Sequence, residues 1–104
     1  MALILKLHKT ADSRKLVCVT DSDLLGKVFE DGSKQLDFSS AFYNGEEAGE
    51  DLIGKHVRSC YIAIFSGTEA VTLGLRLGAI EKENVLVVKG VPQGQCLVLN
   101  AVFR

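Results

Sequence analysis

The chain is poor in several residues that carry common chemistry: its 104 residues include two histidines, three cysteines and one proline. Neither His8 nor His56 belongs to a recognisable metal-ligand pair, so a zinc site is not expected, and no metal or cofactor is assigned. Cys18, Cys60 and Cys96 are odd in number, widely spaced and set inside apolar segments. That pattern suits buried reduced thiols rather than a disulfide framework, and with them a cytoplasmic location. Burial also raises a thiol pKa, which argues against a cysteine nucleophile. The longest apolar runs, Met1–Leu5 and Tyr61–Phe65, fall far short of the ~18 residues a membrane span requires, so no membrane partner is expected. Met1–Leu5 has no basic flank or cleavage site and reads as an opening strand, not a signal peptide. Neither a Walker A sequence nor a dinucleotide fingerprint is present.

What is present is an ordinary globular composition, 47% apolar and 24% charged, which predicts one domain over residues 1–104. The net charge of −1 supplies no general attraction for polyanions, but it is unevenly spread. Residues 1–20 carry four bases against one acid, residues 21–51 two bases against nine acids, and residues 52–104 six bases against three acids. A basic face on a neutral molecule is therefore open to the fold.

Residues 2–8 and 15–20 are rich in Leu, Ile and Val and are separated by the polar stretch KTADSR, the pattern of a β-hairpin with a longer loop. Asp21 or Ser22 is placed to cap a single helical turn through Leu24 and Leu25, with Gly26 ending it. The segments KVFE and KQLDF, joined through Asp31-Gly32-Ser33, predict a second hairpin. From Glu47 to Ile64 apolar residues recur at three and four, predicting a helix with Glu46, Glu47, Glu50 and Asp51 at its dipole-favoured start. Tyr61–Phe65 is β-branched and aromatic, so a strand is the alternative there. Ser66-Gly67-Thr68-Glu69 has the pattern of a capping box, opening a second helix that runs to Leu77 and stops at Gly78. VLVVK and QCLVLNAVF predict two further strands, with Val91-Pro92-Gln93-Gly94 as the turn between them. The expected fold is α+β: a largely antiparallel sheet of about six strands, from two N-terminal hairpins and two C-terminal strands, packed against two main helices.

No nucleophile, base and orienting group occur together in a recognisable arrangement. A binding or adaptor module is therefore preferred over its alternative, a small enzyme whose site assembles only in space. If RNA is the partner, its contacts are expected from Lys6, Lys9, Arg14 and Lys15 with Lys55 and Arg58, because the acidic middle repels phosphate. Tyr43 of the FYNGE segment, if exposed, offers a stacking surface, although packing is the commoner role.

Taken in order, "DSDLLGKVFEDG", "AFYNGEE", "SGTEAV" and "KGVPQGQ" resemble the motifs of an archaeal family of uncharacterised proteins, the domain of unknown function 424. The resemblance spans nearly the whole chain. It implies a small single-domain cytosolic protein, and beside RNA it adds a protein of the translation apparatus as an expected partner. The family pattern places histidine where Gln93 stands, so a mechanism that used that imidazole could not operate here. The resemblance also falls on the loop that sequence reads as a turn. Gly90, Val91, Pro92 and Gln93, together with Tyr43, Asn44 and Gly45, are therefore the expected partner surface.

Overall fold

The structure, a computed structural model, describes residues 2–97. In chain order it contains β1 (Leu3–Lys9), β2 (Lys15–Asp21), a 3₁₀ turn at Ser22–Leu24, β3 (Val28–Asp31), β4 (Lys34–Asp37), β5 (Glu46–Glu47) and α1 (Glu50–Arg58). These are followed by β6 (Ile62–Ser66), α2 (Thr68–Arg76), a 3₁₀ turn at Lys82–Asn84, β7 (Val85–Val88) and β8 (Val91–Leu97). The architecture is α+β. Six strands in the order β5-β1-β2-β6-β8-β7 form a mostly antiparallel sheet, whose one parallel pair is β2 with β6.

Alternation along the strands divides the sheet into two sides. Leu5, Val17, Val19, Ala63 and Phe65 point toward α1 and α2, where they meet Ile53, Val57, Ala70 and Leu73 in the larger core. Ile4, Cys18, Thr20 and Ser66 point the other way and are also buried. The second side is covered near β7 and β8 by a smaller cluster, in which Leu24, Leu36 and Phe38 pack on Val88 and Val91, with Phe29 and Tyr43 at its margin.

Four expectations are corrected. The long helix does not reach Ile64: α1 ends at Arg58, and the last residues of that pattern form β6. Pairing Ile62–Ser66 alongside Leu16–Thr20 satisfies the backbone and buries Ala63 and Phe65, which outweighs the weak helical preference of a β-branched, aromatic run. The second hairpin does form, turning at Gly32 with a φ of 65°, but it makes its own two-stranded sheet instead of joining the large one. Val91-Pro92-Gln93-Gly94 is not a turn. These residues lie within β8, and the chain reverses at Lys89-Gly90, whose φ values of 52° and 80° suit a two-residue hairpin. Pro92 is tolerated because Val88 and Val91 close that hairpin. The backbone of Pro92 thus faces away from β7, and its carbonyl accepts from the Gly67 N–H at 2.8 Å. Finally, no capping box forms at α2, because Ser66 remains in the strand. Of the expected C-terminal strand, residues 98–103 lie outside the described residues.

Candidate functional site

The basic residues of the first hairpin meet the end of α1. Lys9 stands opposite Lys15 in the β1–β2 register, both on the helix side of the sheet. The Lys15 ammonium donates to Ser59 Oγ at 2.5 Å and to His56 Nδ1 at 3.1 Å. The Tyr61 N–H donates to the Lys15 carbonyl at 2.8 Å, which pins the exit of α1 to the start of β2. Arg14 lies 4.4 Å from the centre of the Tyr61 ring and pairs with Asp12 at 3.0 Å. Lys55, His56 and Arg58 occupy the last turn of α1, where cations offset the negative end of the helix dipole. Lys6 does not join them, since alternation turns it to the other side of the sheet, opposite Cys18.

Lys15, His56 and Ser59 could suggest a nucleophile and its base, but their hydrogen bonds run otherwise. The Ser59 hydroxyl donates to the His56 carbonyl at 3.2 Å, and Lys15 supplies protons to both neighbours. The group fastens a helix end rather than relaying a proton out of Ser59. Charge of the opposite sign collects at the other end of α1, about 13 Å away for nine residues. There an open cleft of about 460 Å³ is lined by Ala2, Leu3, Ala48, Gly49 and three glutamates, Glu47, Glu50 and Glu69. Glu50 is held by Arg76 at 2.7 and 3.3 Å, which lowers its pKa. Among the described residues, no group of histidine, cysteine and carboxylate side chains is placed to hold a metal ion.

The two loop segments singled out by sequence also meet. Gln93 Nε2 donates to Ser66 Oγ at 2.9 Å and reaches the Tyr43 hydroxyl at 3.4 Å. Tyr43 is half-buried, with Phe38 and Phe42 packed edge-on to it at 4.8 and 5.1 Å between centroids. It is therefore a packing residue rather than an exposed stacking surface. Phe42 in turn stacks on His8 at 4.4 Å, and its carbonyl is 2.8 Å from His8 Nε2. Gly45 passes so close to the Leu5 carbonyl that no side chain fits there. Asn44 is exposed, Val91 is buried in the smaller cluster, and Gly90 sits at the far hairpin turn.

Sequence reasoning set Asp21 or Ser22 to cap the turn at Ser22–Leu24, but no side chain caps that turn, and Asp21 serves a different helix. This buried carboxylate at the end of β2 accepts from the Glu69 and Ala70 N–H groups at 3.1 and 2.8 Å, capping α2 from a distant strand. Gly67, with a φ of 104°, leaves the space that the Asp21 carboxylate occupies. Burial raises the Asp21 pKa despite these hydrogen bonds. Nothing local signals the contact, because its partners are 48 and 49 residues away. Cys18 and Cys60 are buried as expected, and desolvation pushes them up to about 12 and about 11, whereas Cys96 is only half-buried.

The fold and the charge distribution define a small α+β domain with a basic end and an acidic end. It resembles a solved structure, that of an uncharacterized conserved protein from Methanopyrus kandleri, with a TM-score of 0.75 and 23% identity over 95% of this chain and 93% of the other. The model of the family described as "Protein of unknown function (DUF424)" matches residues 8–99, and the chain belongs to that family. The comparison with curated proteins found no match. Among the described residues no helix is long and apolar enough to cross a membrane.

Proposed function

We propose that the protein is a binding module that docks the phosphate backbone of RNA on its basic end, through Lys9, Arg14, Lys15, Lys55 and Arg58. The observation that carries this reading is the Lys15 contact with His56 and Ser59, which ties the basic residues of the hairpin to the basic last turn of α1. Among the described residues only Arg14 of this set has a carboxylate partner, and Lys15 already donates to Ser59 and His56, so Lys9, Lys55 and Arg58 are the cations most open to phosphate oxygens. The glutamates that would repel phosphate lie at the opposite end of α1. Lys6 drops out of the set because it faces the other side, and Tyr43 because its ring is already packed. In this reading the RNA belongs to the translation apparatus and the protein works in the cytoplasm.

Filter binding tests the proposal. Affinity for single-stranded RNA at about 50 mM salt should fall with added salt, with a log–log slope near −0.7 per phosphate contact. Replacing Lys9 and Arg14 by alanine should weaken binding to unrelated sequences about equally and flatten that slope by about 1 to 2 units. Tyr43→Ala should leave the affinity unchanged. Absence of binding to both single-stranded and structured RNA at low salt would overturn the reading.

A further inference from the structure

The loop between β1 and β2 holds Arg14 at several points. The Thr10 N–H donates to the Arg14 carbonyl at 2.8 Å, and the Arg14 N–H donates back to Thr10 Oγ1 at 3.0 Å. Ser13, left-handed at a φ of 69°, donates its N–H to the Thr10 carbonyl at 2.9 Å. The side chain is fixed as well. Its Nε pairs with Asp12 at 3.0 Å, Thr10 Oγ1 donates to the same residue, and the guanidinium lies over the Tyr61 ring at 4.4 Å from its centre. Tyr61 is tied in turn to the Lys15 carbonyl through its N–H. These contacts take up one edge and one face of the guanidinium, and the Arg14 side chain is still 48% exposed. A planar cation backed by an aromatic ring and open to solvent on its far side is a surface on which a base stacks.

We infer that Arg14, backed by Tyr61, is the plate on which the basic end stacks one unpaired base of a single-stranded RNA. This rests on the RNA reading above and names its ligand: a strand with splayed bases, because a base inside a duplex has no free face to offer. Tyr61 thus takes the stacking role that sequence offered to Tyr43, whose ring is packed against Phe38. The ion pair with Asp12 divides the work. It offsets the charge of Arg14 but leaves its plane, so the phosphates fall to Lys9, which enters the same loop, and to Lys55 and Arg58 at the end of α1. Every base has a π-face, so the plate selects unpaired strands rather than particular sequences.

Filter binding of the full chain at about 50 mM salt tests this with two probes, octaadenylate and an abasic ribose-phosphate strand of the same length, which keeps the phosphates and lacks the bases. The natural chain should bind octaadenylate about tenfold more tightly than the abasic strand. Arg14→Lys keeps the charge but not the plane. It should cut that ratio to about twofold or less, with the affinity for the abasic strand and the salt slope unchanged. Tyr61→Leu should cut the ratio likewise, and Tyr61→Phe should preserve it. Arg14 is exposed, so its variant keeps the fold, and circular dichroism verifies this for the half-buried Tyr61. A purely structural role would weaken both probes alike and leave the ratio where it was. Equal binding of the two probes by the natural chain, or a ratio that survives Arg14→Lys, would overturn the inference while salt-dependent binding still upheld the phosphate reading. Binding of neither probe would overturn both.

Discussion

The two sides of the sheet come from the same alternating strands but are filled by different means. On the helix side, α1 and α2 lay apolar stripes over Val17, Val19, Ala63 and Phe65, and close packing is enough. On the other side, the strands present Thr20, Ser66 and Gln93, and the cover is a hairpin with an aromatic segment. Polar groups buried there need partners, and Gln93 serves Ser66 and Tyr43 together. Thr20 Oγ1 is buried with no hydrogen-bond partner. The helix side is thus held by area and shape, and the hairpin side by a few directional contacts around Phe38.

The largest effect that would sharpen this contrast is Phe65→Ala, since Phe65 is fully buried between the sheet and α2. A loss of about 3–5 kcal/mol is expected by denaturant titration, with hydrogen-exchange protection falling across β2, β6 and β8 together. Phe38→Ala should cost about 3 kcal/mol of local stability, with protection lost mainly between residues 24 and 45. Equal loss of protection across the whole sheet would show that the two sides open as one unit.

Asp21→Ala, which removes both acceptors from the start of α2, should cost about 1–3 kcal/mol in the same titration. The pH dependence has a definite sign. The folded pKa of Asp21 is raised, so its contribution is fully present below the unfolded value of about 3.9 and is lost as pH rises through the higher folded value. Stability measured from about pH 3.9 to neutrality should therefore move in favour of Asp21→Asn relative to the natural chain. A drift the other way would mean that the α2 N–H groups outweigh burial. The smallest effect has the opposite sign. Thr20→Val removes an unpartnered hydroxyl at nearly constant volume and should be neutral or stabilising by up to about 1 kcal/mol.

Signals spanning a few residues located most of the elements. Enrichment in Leu, Ile and Val in ALILKLH and KLVCVT marks β1 and β2, the glycine at position 32 marks the β3–β4 turn, and Gly78, with a φ of 74°, stands just past α2 as the sequence predicts. The basic set was legible as composition, but not as a surface. Lys6 and Lys9 are three residues apart in a strand, so they fall on opposite sides, whereas Lys15 and His56 meet across 41 residues of sequence. Helical spacing from Glu47 to Ile64 was genuine but did not decide the structure beyond Arg58, where a neighbouring strand offered Ile62–Ser66 a better partner.

The sequence by itself determined the α+β class, the apolar faces of the strands and both helices, the buried thiols and the segregation of charge along the chain, because each depends on periodicity or composition within a short window. The tertiary structure decided the parallel β2–β6 pairing, the place of Pro92 inside β8, the Asp21 cap on α2 and the union of two basic segments at one end. Each of these is a contact between residues far apart in the chain, whose free energy exists only once the backbone has closed the loop between them.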